Sequence, residues 1–126
     1  MDRQSAIDTI LDHYENPRNY GRLDNATFVH EGRNPGCGDL VRLYVRLDGE
    51  DRIEAIRFEG EGCTISQAAA SLLTGLVLGE SLDDVLKMDE MLLADALGPE
   101  VVMNRLPCVN LSLRILQEGG RAYRQT

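Results

Sequence analysis

Apolar positions along the chain alternate between two periods, and the alternation sets an order of elements. Ile7, Ile10, Leu11 and Tyr14 recur at helical spacing after Ser5-Ala6-Ile7-Asp8, which reads as a helix start, and Pro17 stops that helix. A loop follows over residues 20–26, with Gly21 and Asp24-Asn25, and then a short strand over Thr27-Phe28-Val29-His30-Glu31. From Leu40 to Leu47 the period changes to two. Val41, Leu43, Val45 and Leu47 face one way, and Arg42, Tyr44 and Arg46 the other. Asp48-Gly49 signals a hairpin, with a return strand from Arg52 to Glu59. Ile56 and Phe58 form a clean face there, but Ile53 and Ala55 fall out of phase, which implies a bulge or a register slip near Ala55.

Gly60-Glu61-Gly62 breaks this strand. The segment from Thr64 to Leu78 is apolar on nearly every side and reads as a buried central helix ended by Gly79. Ser81 caps a short helix, and Asp89 caps another that carries Met91, Leu92, Leu93 and Leu97. Met88 and Met91 are assigned to packing. After the Gly98-Pro99 turn, Asn104 precedes a last helix running to Glu118, with Gly119-Gly120 as its stop and Cys108, Leu111 and Ile115 on one face. The pattern predicts an α+β fold: a small antiparallel sheet of two or three strands with helices on one face.

Composition narrows the class. The 126 residues suit one domain, and 43% hydrophobic content suits a folded one. With no tryptophan, the core must be aliphatic. A net charge of −8 disfavours nucleic acid and anionic membranes as partners. No basic patch, phosphate loop or Ser/His/Asp set is evident. The polar start Met1-Asp2-Arg3-Gln4-Ser5 is unlike a signal peptide, and no apolar run is long enough to span a bilayer. Three cysteines, an odd and widely spaced set, argue against a disulfide framework and for a reducing cytoplasm.

The candidate chemistry lies in Asn34-Pro35-Gly36-Cys37-Gly38-Asp39, which sets a thiol and a carboxylate two positions apart on a loop of turn residues. Cys63 and Cys108 each sit where a helix begins. The positive end of a helix dipole favours a thiolate, the form that binds metals and attacks sulfur. Three thiolates and Asp39 make four ligands, the number that tetrahedral zinc or a [2Fe–2S] cluster takes. Oxygen is a harder ligand than sulfur, which suits a position that opens or exchanges. A single cysteine is commonly just a small buried hydrophobe, and the cysteine spacing matches no local metal motif. His13 and His30 are assigned structural roles.

Asp12-His13-Tyr14-Glu15-Asn16-Pro17-Arg18-Asn19, the Asn34–Asp39 loop, Gly62-Cys63-Thr64-Ile65-Ser66 and the late Cys108 together resemble the U-type iron–sulfur assembly proteins, the IscU, SufU and NifU N-terminal group. The likeness runs over nearly the whole chain. It implies a SufE/NifU-like α+β fold, a small antiparallel sheet of about three strands with helices on one face. It implies a scaffold, not itself an enzyme, that receives sulfur from a cysteine desulfurase. On it a [2Fe–2S] cluster is held transiently and passed to apo-proteins or carrier proteins. Cys37, Asp39, Cys63 and Cys108 would be the ligands of the cluster, or of zinc in the same site. Cys108 would accept sulfur in the IscU-like branch and Cys37 in the SufU-like branch. The chain mixes features of the two. Pro107 stands where IscU-like members carry a histidine, and Val102–Pro107 departs from the Leu-Pro-Pro-Val-Lys chaperone motif, which counts against delivery by the dedicated Hsp70. Arg105 and the wording around Cys63 are SufU-like, but the insertion usual in that branch is missing between Cys63 and Cys108. Two further readings stay open: a zinc-bound sulfur acceptor that activates the desulfurase, and a structural zinc domain for protein interaction.

Overall fold

A computed structural model describes residues 2–36 and 38–126. Three strands, β1 (Phe28–Asn34), β2 (Asp39–Leu47) and β3 (Ile53–Glu61), form one antiparallel sheet in the order β1-β2-β3. Helix α1 (Arg3–Glu15) precedes the sheet. Helices α2 (Thr64–Val77), α3 (Leu82–Leu86), α4 (Leu92–Leu97), α5 (Pro99–Val102) and α6 (Leu106–Arg124) follow it, with a 3-10 turn at Met103–Arg105 before α6. The α+β class expected from the alternating periods is the one observed.

The inward row of β2 explains the layering. Val41, Leu43 and Val45 are fully buried, as are Phe58 of β3 and Leu73 of α2, and Leu111, Ile115 and Leu116 of α6 close the same core. The core is mostly aliphatic, as the composition requires, and Phe58 is the one fully buried aromatic among the described residues. Met88 and Met91 pack against its margin. Asp39 opens β2 in phase with Val41, so its carboxylate points into this layer and is fully buried.

The out-of-phase residues of β3 resolve as a bulge. Arg46 pairs with Ala55 and Leu47 with Ile53, so Glu54 is the extra residue, and Ile53, Ile56 and Phe58 all reach the core. The hairpin loop is correspondingly longer than two residues, and its left-handed residue is Asp51 (φ 59°), held over Asp48 by its backbone N–H, rather than Gly49. Strand β1 runs three residues past the Glu31 limit expected for it and pairs through Asn34 with Asp39.

Three helix ends differ from their sequence expectation. Helix α4 begins at Leu92 with Met91 at its N-cap position and no side-chain cap, and Asp89 Oδ1 accepts the Met91 N–H at 2.7 Å ahead of it. Helix α1 is capped by Asp2, whose Oδ1 accepts the Ser5 N–H at 2.7 Å, so Ser5 lies inside the helix rather than at its cap. Helix α6 does not stop at Gly119-Gly120 but continues to Arg124. These glycines are there for space. A Cβ on Gly119 would lie 2.7 Å from His30 Cβ and 3.0 Å from Phe28 Cε2, and one on Gly120 would lie 2.9 Å from Leu82 Cδ1. The pair lets α6 pass close to β1 on one side and α3 on the other, and that packing outweighs the glycines' poor helix propensity.

His13 and His30 have structural partners. His13 Nδ1 lies 2.8 Å from Ser71 Oγ, and His30 Nε2 lies 3.7 Å from Glu118 Oε2.

Candidate metal and sulfur centre

Three helix or strand starts meet at one end of the sheet. Asp39 is the first residue of β2. Leu40 beside it pairs with Glu61 at the end of β3, and the chain then turns through Gly62 into α2. Cys63 is the N-cap of α2, with extended backbone (φ −71°, ψ 161°), and its Sγ accepts the Ser66 N–H at 3.5 Å. Sulfur thus does there what serine or aspartate oxygen does at most helix starts. Cys108 is the third residue of α6 and is buried. The positive ends of a 14-residue and a 19-residue helix therefore converge on the same point.

The ligand atoms of Asp39, Cys63 and Cys108 all lie within 4.8 Å of one another. Asp39 Oδ1 accepts the backbone N–H of Cys63 at 2.9 Å, and the Cys63 thiol donates towards Oδ2 at 3.8 Å. Asn34 ties the third member in. Its Oδ1 accepts the Gly36 N–H at 3.3 Å, which directs its Nδ2 towards Cys108 Sγ at 3.9 Å, and its carbonyl accepts the Gly38 N–H at 2.8 Å. Gly38 has φ 73°, so the freedom expected at this loop is used there. Three of the four side chains singled out in the sequence are thus brought together; the fourth, Cys37, lies outside the described residues.

The donors fit a soft cation. Two sulfurs and a fully buried carboxylate suit zinc or iron rather than magnesium or calcium, which take oxygen donors. A buried carboxylate also needs compensation, which the Cys63 amide supplies on one oxygen. Access is from the side of α6, where Asn34, Gly36, Asn104, Arg105, Pro107 and Cys108 line a cleft of about 340 Å³.

Two supporting residues escape a reading of spacing. Asn34 was visible only as part of the loop, with nothing to tie it to Cys108, 74 positions away. Gly62 reads as a strand breaker, but a Cβ there would lie 2.1 Å from Asp39 Oδ1. The only sequence signal for that role is its place directly before a cysteine.

The chain is thus an α+β domain that gathers a carboxylate from a strand start and thiols from two helix starts into a set able to hold a metal ion. Residues 6–126 match the model of the NifU-like N-terminal domain, and the chain belongs to that family. It is 48% identical over 82 residues to the zinc-dependent sulfurtransferase SufU of Bacillus subtilis (strain 168), a match covering 65% of this chain and about half, 54%, of that protein. It is 38% identical over 112 residues to the iron–sulfur cluster assembly scaffold protein IscU of Escherichia coli (strain K12), covering 86% of this chain and 82% of that one. Among solved structures it resembles one described as a candidate iron–sulfur cluster assembly scaffold protein for the SUF system, from Fervidobacterium islandicum AW-1. That match has a TM-score of 0.75 and 31% identity, and covers 89% of this chain and 93% of that one.

Proposed function

We propose that this chain receives sulfur from a cysteine desulfurase, carries a [2Fe–2S] cluster as cargo on Cys37, Asp39, Cys63 and Cys108, and passes it to apo iron–sulfur proteins or carrier proteins. The observation that carries this reading is the convergence of Asp39, Cys63 and Cys108 within 4.8 Å, from three separate elements. Cys37 is proposed as the fourth donor because it stands two residues before Asp39 in the sequence. Similarity to the Escherichia coli scaffold protein supports it.

The chain's own chemistry is thiol chemistry. A cysteine thiolate of the site, with Cys108 and Cys37 the candidates, attacks the outer sulfur of the desulfurase persulfide. One S–S bond forms on this chain, the desulfurase S–S bond breaks, and the desulfurase cysteine leaves as a thiolate, with no net oxidation. Cys63 suits a holding role, since its sulfur caps α2 and its amide is engaged with Asp39. The hard oxygen of Asp39 among sulfurs supplies a weaker ligand, which favours release of the cargo.

A second reading, a zinc-bound sulfur acceptor that activates the desulfurase, is favoured by the 48% identity to the zinc-dependent sulfurtransferase SufU. Zinc would be held by the same residues and would keep the thiols deprotonated.

Protein purified without oxygen and incubated with iron, cysteine and a desulfurase separates the two. Iron and sulfide in equal amounts, visible absorbance, and loss of that absorbance to an apo-ferredoxin support the scaffold. Stoichiometric zinc that iron does not replace, with no absorbance and faster desulfurase turnover that Cys37→Ala abolishes, overturns it in favour of the sulfur relay.

A further inference from the structure

We propose that Gly62 is a positioning residue that makes Asp39 a one-oxygen ligand. The inference rests on the metal-binding reading above. Asp39 Oδ1 accepts the Cys63 N–H at 2.9 Å, at the positive end of α2, while Oδ2 is the oxygen that faces the Cys63 thiol. The two oxygens therefore have different tasks: Oδ1 anchors the carboxylate to the protein, and Oδ2 is presented to the metal.

This division requires that residue 62 have no side chain. A Cβ at that position would lie 2.1 Å from Asp39 Oδ1, 2.8 Å from its Cγ and 3.0 Å from its Cα. Real Cβ atoms essentially never come within 3.0 Å of another heavy atom, and here the carboxylate carbon as well as its oxygen stands in the way. Asp39 is fully buried at the first position of β2, and its backbone is fixed opposite Asn34. Rotating the carboxylate away from residue 62 would move Oδ1 off the Cys63 amide. Gly62 also has φ 143°, outside the range that other residues adopt readily. The space beside Gly62 is thus the cradle of the Asp39 carboxylate, and a methyl group placed there would push Oδ1 off the amide.

Outer-shell partners of this kind typically alter metal affinity by about tenfold to a hundredfold. Gly62→Ala should therefore weaken zinc binding by about that factor, measured by competition with a chromophoric chelator. Backbone strain alone could weaken the site too, and a double-mutant cycle separates the causes. With Asp39→Ala there is no carboxylate to displace, so adding Gly62→Ala should change zinc affinity less than about twofold, within the usual scatter of additive pairs. The cobalt(II) spectrum gives a second readout: Gly62→Ala should shift the visible bands to those of Asp39→Ala.

Equal losses from Gly62→Ala in both backgrounds would overturn the proposal, because the penalty would then not run through Asp39. So would a Gly62→Ala protein that keeps the parent's zinc affinity and cobalt spectrum. If Gly62→Ala does not fold, folding restored in the Asp39→Ala/Gly62→Ala double variant supports the contact, and failure of both overturns it. A parent protein that takes up no zinc, cobalt or iron would overturn the metal reading itself. The contact is then tested by the urea midpoints of the same four metal-free proteins: a Gly62→Ala loss confined to the Asp39-bearing pair upholds the cradle, and equal losses in both pairs overturn it.

Discussion

His13 illustrates how one side chain joins two helices and sets a pH dependence. Ser71 Oγ accepts the Arg18 backbone N–H at 2.9 Å and shares a hydrogen bond with His13 Nδ1 at 2.8 Å. Burial pushes the His13 pKa below its ordinary 6.5, and the neighbouring Arg18 charge pushes it further the same way. The neutral ring is therefore favoured in the folded state. Its contribution is fully present above pH 6.5 and is lost as pH falls through 6.5 towards the depressed folded value. Urea midpoints measured above and below pH 6.5 should show this decline, and His13→Gln should flatten it. The carboxylates Asp2, Asp12 and Asp48 are held below their ordinary 3.8 by hydrogen bonds, to Ser5, Arg18 and the Arg52 N–H respectively, so they act only in a more acidic window.

At the scale of elements, glycine has opposite effects in two helices. Gly75 lies in α2 with nothing within 4 Å of where its Cβ would be, so Gly75→Ala should stabilise the protein by about 0.5–1 kcal/mol through helix propensity. Gly119 lies in α6 against His30 and Phe28, so Gly119→Ala should destabilise it, by about 1–3 kcal/mol from overpacking. Thermal unfolding of the two variants side by side checks the contrast. The same contrast shows what a chain reveals of itself. The strands and α2 were legible because their periods, two along Val41–Leu47 and near-continuous apolarity along α2, are local properties. The end of α6 was not, because a glycine pair means a stop in isolation and close packing only when β1 and α3 are beside it. The site divides the same way. Cysteines at helix starts could be read from neighbours in sequence, but the fit of Gly62 around Asp39 joins residues on different elements.

At the scale of the molecule, the hydrophobic core is continuous and its cluster of apolar side chains includes none of the candidate metal donors. Val41, Leu43, Phe58, Leu73, Leu97, Leu111 and Ile115 are fully or almost fully buried without any contribution from a metal. Chelation should accordingly leave the far-ultraviolet helix signal in place, whereas a structural zinc domain would unfold. Exchange of backbone amides should rise only around Asn34–Asp39 and at the start of α6, and hydrogen exchange with and without chelator measures it. Phe58→Ala, by contrast, should cost about 3–5 kcal/mol in urea unfolding with or without metal. No helix among the described residues is long and apolar enough to cross a membrane.

The meeting of the starts of β2, α2 and α6 also fixes an order in time. As the chain is made, Asp39 and Cys63 leave the ribosome together with the whole sheet and α2, but Cys108 emerges 45 residues after Cys63. Until it does, the donors on hand are an incomplete set on a sheet whose covering helix has not arrived. The last helix therefore completes the core and brings Cys108 to Asp39 and Cys63 in one event, so that on the proposed reading a newly made chain gains its full donor set only when its fold closes.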